Sequence, residues 1–156
     1  KLSRSAILRL SNGISTQNIT IQQDKSKFTC TAASSITPGT NNYTLSSGKN
    51  NANAYAAIDP TAAAQLDRLI PGLESQKLNG NERIFKYNHR GGNFKLTLSN
   101  SSETIAALIL KTCDQSSVIA GRLGSGIIHN NLPAGSYFIV VDASTNELNR
   151  FSLTIE

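Results

Sequence analysis

Residues 132–142 read Leu-Pro-Ala-Gly-Ser-Tyr-Phe-Ile-Val-Val-Asp, and this stretch decides the fold class of the chain. A proline and a glycine open it with a turn, and the aromatic and β-branched residues that follow favour a pleated strand. Successive side chains of a strand point to opposite faces, so one face carries Tyr137, Ile139 and Val141, and the other Phe138 and Val140. Both faces are apolar, which predicts a central strand of an all-β protein.

The composition indicates one secreted β-domain. A chain of 156 residues is long enough for a single buried core, and we treat 1–156 as one domain. Only 38% of the residues are hydrophobic and 16% are charged, with uncharged polar residues making up the difference. No run of about 18 apolar residues is present, so no membrane span is expected. The chain opens at Lys1 without Met, which suggests that an upstream segment has been removed.

The net charge of +5 raises the question of a nucleic-acid partner. The lysines and arginines are scattered singly from Lys1 to Arg150, without a dense cluster or a basic helix. Such scatter is typical of a solvated surface, and we expect no nucleic-acid partner. A weak attraction to anionic polymers or cell envelopes is the alternative.

Two cysteines, Cys30 and Cys113, lie far apart and match no metal-binding spacing. In a secreted chain we expect them to form a disulfide, while two separate buried thiols are the alternative. Closing so long a loop would stabilise the fold by about 4 kcal/mol on the chain-entropy model.

The second half of the chain has a nearly continuous strand pattern. Apolar residues alternate with polar ones over 84–89 and again over 94–98, and the Gly91-Gly92 pair between them predicts a hairpin with one wet face. Further strands follow at 104–112, 118–123 and 151–155. Regular short strands separated by turns predict an antiparallel β-sandwich or jelly roll.

The first half is less regular. Asn12-Gly13 is a turn pair, followed by strands at 14–21 and at 27–31, the second of which contains Cys30. Residues 34–53 predict a long surface loop holding one short strand. Residues 60–70 predict one short helix, which Asp59 caps and Pro71-Gly72 ends.

A family resemblance rests on five segments of the second half. They are Phe85-Lys-Tyr87, Phe94-Lys-Leu-Thr-Leu98, Ala107-Leu-Ile-Leu-Lys-Thr-Cys113, residues 132–142 and Phe151-Ser-Leu-Thr-Ile155. Residues 81–156 thereby resemble the bacterial pre-peptidase C-terminal domain, whereas 1–80 have no recognised counterpart. The resemblance implies a small β-sandwich attached to secreted proteases and other exported proteins, where it is an accessory module for binding substrate or surface.

The chain departs from this family at its acidic positions. Some members bind calcium, and many carry several acidic residues before the strand that here begins near Thr104, whereas this chain has only Glu103 there. Calcium needs six or more oxygen ligands, so we expect neither a calcium site nor another cofactor. The histidines, His89 and His129, lie in no nucleophile or metal motif, and we expect both at the surface.

These observations favour binding over catalysis. We predict a non-catalytic module, secreted or on the cell surface, that binds an extracellular protein or cell-envelope target. Tyr43 and Tyr55, in polar loops with nearby lysines, are the candidate binding residues. The alternative is a structural or adhesive subunit that self-associates through its edge strands. A hydrolase has no motif in its favour.

Overall fold

The structure is a computed structural model. It describes residues 4–11, 16–23, 30, 33–45, 68–70, 78, 80–113, 117–145 and 148–156. Within these ranges there are eleven strands: β1 (Arg4–Ser11), β2 (Thr16–Gln23), β3 (Ser34–Ser35), β4 (Gly39–Leu45), β5 (Glu82–His89), β6 (Gly92–Ser99), β7 (Ile105–Leu110), β8 (Val118–Leu123), β9 (Gly126–Leu132), β10 (Gly135–Ala143) and β11 (Asn149–Ile155). The all-β prediction is therefore confirmed.

Two sheets form the sandwich. One has five strands in the order β3-β5-β10-β7-β8, and the other has four in the order β4-β11-β6-β9. All pairings are antiparallel except the short one between β3 and β5. Strands β3 and β4 belong to the first half of the chain, so this half contributes an edge strand to each sheet.

Strand β10 lies at the centre of the five-stranded sheet, as residues 132–142 predict. It pairs with β5 on one side and with β7 on the other, and β7 is buried at every position. Backbone groups of β10 are thus paired on both sides, which leaves its side chains to bury apolar surface above and below the sheet.

Each face of the five-stranded sheet covers its own apolar core. Between the sheets, Tyr137, Ile139 and Val141 pack with apolar side chains of β5, β6 and β11. On the outer face, Val140 packs in a second cluster with Ile70 and Leu78, which come from outside the sandwich strands. The sequence pattern of two apolar faces on β10 therefore corresponds to two separate cores.

The predicted hairpin of β5 and β6 is wrong. Strand β5 pairs with β3 and β10, whereas β6 pairs with β11 and β9 in the other sheet. The Gly91-Gly92 pair has positive φ angles of 95° and 96°, so it turns the chain sharply, but the turn passes the chain from one sheet to the other. The prediction of one apolar face on each strand is confirmed, because both strands direct one side toward the shared core.

The N-terminal segment contains a feature that the sequence pattern did not assign. Strands β1 and β2 pair in an antiparallel two-stranded sheet, with Ser11 opposite Thr16 next to the predicted Asn12-Gly13 turn. Residues 1–10 had no assignment, because their apolar residues fit neither the helical nor the strand period. The loop predicted at 34–53 contains two strands, β3 and β4, instead of one, and its residues 46–53 lie outside the described residues.

The predicted disulfide joins Cys30 to Cys113, with the Cα atoms 5.9 Å apart. Cys30 lies in a helical turn, where its carbonyl accepts a hydrogen bond from the Ala33 amide, so its assignment to a strand is wrong. Most of the helix predicted at 60–70 lies outside the described residues. Arg68 and Leu69, near its end, have helical backbone, and no described helix is long and apolar enough to span a membrane.

Candidate binding site

An open depression lies where β4 and β11 approach the turn after β6, and we call it the Tyr43 depression. Its lining combines aromatic, amide, hydroxyl and guanidinium groups from four parts of the chain. The lining residues are Asn42, Tyr43, Thr44, Arg83, Asn100, Arg150, Phe151 and Ser152. Only the fold brings these residues together, since β4 and β11 are more than a hundred residues apart in sequence.

Tyr43 is held by aromatic contacts. It lies opposite Phe151 on β11, and its ring centroid is 5.6 Å from the Phe151 ring and 4.6 Å from the Phe85 ring. Tyr43 is half-buried, whereas Phe85 and Phe151 are buried. The ring therefore has a fixed orientation, with its inner part against the core and its remainder available at the surface.

The guanidinium of Arg83 stacks on this tyrosine. Its central carbon lies 4.5 Å from the Tyr43 ring centroid and 5.5 Å from the Phe85 centroid. A stacked guanidinium keeps its N–H donors in the plane, directed away from the ring. Among the described residues, none accepts a hydrogen bond from the Arg83 side chain, so no described partner occupies these donors.

The charged residues of the described lining are all positive. They are two arginines, Arg83 and Arg150, and no described lining residue is a carboxylate. Within the described part of the chain neither arginine forms a salt bridge, and the single ion pair there joins Lys95 to Glu156 at 2.7 Å. An anionic group entering the depression would thus meet uncompensated positive charge.

A short hydrogen-bond chain fixes the polar side of the depression. The Ser152 hydroxyl donates to the Asn42 carbonyl oxygen Oδ1 at 2.6 Å, and the Asn100 amide donates to the Ser152 hydroxyl at 3.3 Å. Asn100 has a φ of 55°, a left-handed conformation that asparagine tolerates better than most residues. The amide side chains of Asn42 and Asn100 are therefore positioned before any ligand arrives.

Burial raises the pKa of the Tyr43 phenol above its ordinary value of 10.0, and the nearby positive charge of Arg83 partly opposes this effect. The hydroxyl consequently stays protonated at neutral pH. It can donate a hydrogen bond to an acceptor in the depression without adding negative charge.

A second depression on the four-stranded sheet has mixed charge. It is lined by residues that include Lys95, His129, Asn131 and Glu156. Lys95 already pairs with Glu156, so its charge is largely neutralised there. This depression offers a weaker electrostatic field to a charged ligand than the Tyr43 depression does.

The two predicted binding residues have different outcomes. Tyr43 lines the depression, while Tyr55 lies outside the described residues. Arg83 and Arg150 were not predicted, because single arginines 67 positions apart give no sequence signal. Only the alternation on β5, which directs Arg83 to the same side as Phe85, hinted at its place beside the core.

The histidine predictions are half right. His129 is exposed, as predicted, and lies within β9. His89 is buried, with its ring near the Tyr87, Phe94 and Tyr137 rings and its Nε2 atom 3.2 Å from the Gly92 carbonyl oxygen. Its surface prediction is wrong because Phe94 of β6 and Tyr137 of β10 pack against the His89 ring. Both histidines lack a nucleophile or metal partner among the described residues.

Comparisons with known proteins give a result only at the level of structure. No family model matches the sequence, and no curated protein matches it. The crystal structure of the pre-peptidase C-terminal domain of a collagenase from Bacillus anthracis is similar, with a TM-score of 0.51, 12% identity, and coverage of 80% of this chain and 94% of that one. The chain has the fold of a pre-peptidase C-terminal domain.

The structural match extends beyond the segments that first suggested the resemblance. Those segments cover 81–156, about half of the chain, whereas the pre-peptidase C-terminal fold covers 80% of it. At 12% identity the match establishes the fold and leaves the ligand to be argued from this chain's own surface.

Proposed function

We propose that this chain is a non-catalytic accessory module that acts outside the cell and binds a protein or cell-envelope target. The observation that supports this most is the Tyr43 depression, which is open, positively charged and rigidly framed by aromatic and hydrogen-bond contacts. The pre-peptidase C-terminal fold and the Cys30–Cys113 disulfide support an extracellular location.

Catalysis has no support from the described side chains. They contain no group of three or more His, Cys, Asp or Glu residues in a metal-binding arrangement. Among the described residues, the one pair of neighbouring buried acids, Glu82 and Asp142, is almost inaccessible to a substrate. These side chains therefore favour a role in binding.

Binding should be tested with the purified chain on fibrous protein, on polysaccharide and on whole cells across a salt series. We expect weak retention that decreases as salt screens the positive surface. A broad hydrolase screen run in parallel checks the non-catalytic assignment. Turnover of an ester, peptide or glycoside that His129→Ala or His89→Ala abolishes would overturn it.

Calcium is not part of this proposal. Glu103 is exposed, and Asp142 is buried in the sheet, so neither belongs to a described loop rich in oxygen ligands. Calorimetric titration should give no micromolar calcium binding. Saturable heat at a one-to-one ratio, abolished by Glu103→Gln, would contradict this expectation.

A structural subunit is the second candidate, because β4 and β9 are both edge strands of the four-stranded sheet. Exposed edges can pair with neighbouring copies. Sedimentation velocity over a wide range of protein concentrations separates the two candidates. A module stays monomeric, whereas a subunit assembles as the concentration rises.

A further inference from the structure

We infer that the Tyr43 depression binds an extended acidic peptide, whose carboxylates pair with Arg83 and with Arg150. This inference rests on the proposed binding function and specifies the chemistry of its ligand. Three features of the described residues support it: the charge of the depression, the geometry of Arg83 and the position of β4.

Charge complementarity selects an anion. Both charged residues of the described lining are arginines, and neither has an ion-pair partner in the described part of the chain. Arg150 is exposed and Arg83 is half-buried, so a ligand can reach both guanidinium groups. Partial burial of Arg83 reduces solvent screening there, which strengthens its attraction for an anionic group.

The geometry of Arg83 favours a planar anionic group with two oxygens as the ligand. The central carbon of the guanidinium lies over the Tyr43 and Phe85 rings, at 4.5 and 5.5 Å from their centroids, so these rings occupy one side of the group. The edge of the guanidinium, with its paired N–H donors, is then the part that meets a ligand. A carboxylate accepts two parallel hydrogen bonds from such an edge.

The position of β4 selects a polypeptide over a sugar polymer. Strand β4 ends the four-stranded sheet, so no described strand pairs with the edge that faces away from β11. An extended peptide can add its own backbone hydrogen bonds along such an edge. Asn42 and Asn100 offer amides that match peptide groups, whereas Tyr43 is a single aromatic ring with Arg83 already over one of its faces.

The test uses a fluorescein-labelled octaglutamate peptide and measures its fluorescence anisotropy against the full chain at about 20 mM salt. We expect saturable binding that weakens about tenfold in Arg83→Gln and about threefold in Arg150→Gln, the smaller loss reflecting the greater exposure of Arg150. Arg83→Lys retains the charge but loses the two parallel donors, so we expect an intermediate loss.

Arg90→Gln is the matched control, because it removes the same charge from an exposed residue outside the depression. It should bind the octaglutamate peptide as the unmodified chain does. An octaglutamine peptide of the same length should not bind. Melting curves of all variants identify any that fail to fold, and Arg150→Gln, at an exposed position, keeps the test valid if Arg83→Gln unfolds.

Three results would overturn the inference. They are an equal loss in Arg90→Gln, no binding of octaglutamate at low salt, or binding of a sulfated oligosaccharide with no binding of octaglutamate. If a target from the pull-down binds equally well to the Arg83 and Arg150 variants, the proposed function stands and this inference fails. If octaglutamate binds through both arginines but no surface target is found, this inference stands and the proposed surface target is not supported.

Discussion

Glu82 and Asp142 lie opposite each other on the neighbouring strands β5 and β10, and each side chain has only 1% of its surface exposed. Burial raises the pKa of Asp142 well above its ordinary value of 3.8, and the adjacent charge of Glu82 raises it further, while the Ala143 backbone amide opposes both. The folded protein therefore retains a proton on Asp142 that the unfolded chain releases at a lower pH.

This pair predicts a loss of stability as the pH rises. Above the ordinary aspartate value of 3.8, the unfolded chain ionises while the folded chain does not, so the contribution of Asp142 decreases until the pH passes its folded pKa. Asp142→Asn should remove this dependence and stabilise the fold at pH 7 by at least about 1 kcal/mol. Urea unfolding at several pH values measures both the stabilisation and its pH dependence, and Glu103→Gln, at an exposed position, is the control. A less stable Asp142→Asn protein at pH 7 would contradict the prediction.

The disulfide predicts a strong redox dependence of stability. The bond between Cys30 and Cys113 closes a loop across a sequence separation of 83 residues. Reduction should lower the free energy of unfolding by about 4 kcal/mol, which corresponds to a decrease of about 10 °C in Tm. The double variant Cys30→Ser, Cys113→Ser should melt at the reduced value and be insensitive to reductant. Two titratable thiols in the unreduced, denatured protein would rule out the bond.

We expect the hydroxyl group of Tyr137 to contribute measurably to the free energy of unfolding. Its hydroxyl donates to the Pro133 carbonyl at 2.8 Å, and this bond ties the start of β10 to the preceding turn. Tyr137→Phe should destabilise the fold by about 1 kcal/mol, because it removes this bond and the one that the hydroxyl accepts from Lys111 at 3.3 Å. Tyr87→Phe is the control, since no described residue bonds to the Tyr87 hydroxyl. Equal effects of the two substitutions on chemical denaturation would refute this role.

We expect that no side chain can be accommodated at Gly80, just before β5. Its amide donates to the Ala143 carbonyl at 2.8 Å, and a Cβ atom at this position would overlap the backbone carbonyl of Thr145. Backbone cannot move aside as a side chain can, so Gly80→Ala should cost about 2 kcal/mol or more. Gly39→Ala, at a φ of 107° with open space around it, should cost only the backbone strain of about 1 kcal/mol. The order of the two melting temperatures checks this prediction.

Local patterns predicted most strands of the second half of the chain but not their partners. The two apolar faces of residues 132–142 correctly indicated a central strand, because burial on both faces requires neighbours above and below. Gly91-Gly92 correctly indicated a turn, yet turn chemistry does not specify which sheet receives the next strand. That choice depends on β10 and β11, which are remote in sequence and pair with β5 and β6.

The candidate site was predictable only in part. Tyr43 was the sole aromatic residue of a polar stretch, and this alone singled it out. Its partners Arg83 and Arg150 meet it through the pairing of β4 with β11 and through the approach of β5 from the other sheet. Such contacts follow from topology, which a single sequence does not encode in any local pattern.

The position of the last strand, β11, between β4 and β6 also constrains the order in which this protein assembles. In the four-stranded sheet, β11 lies between β4 and β6, so these two strands have no partner in common until the segment 149–155 arrives. During synthesis, β4 must therefore leave the ribosome long before its neighbour does. The sandwich cannot close progressively from its first strand, and contacts between distant segments govern how fast it matures.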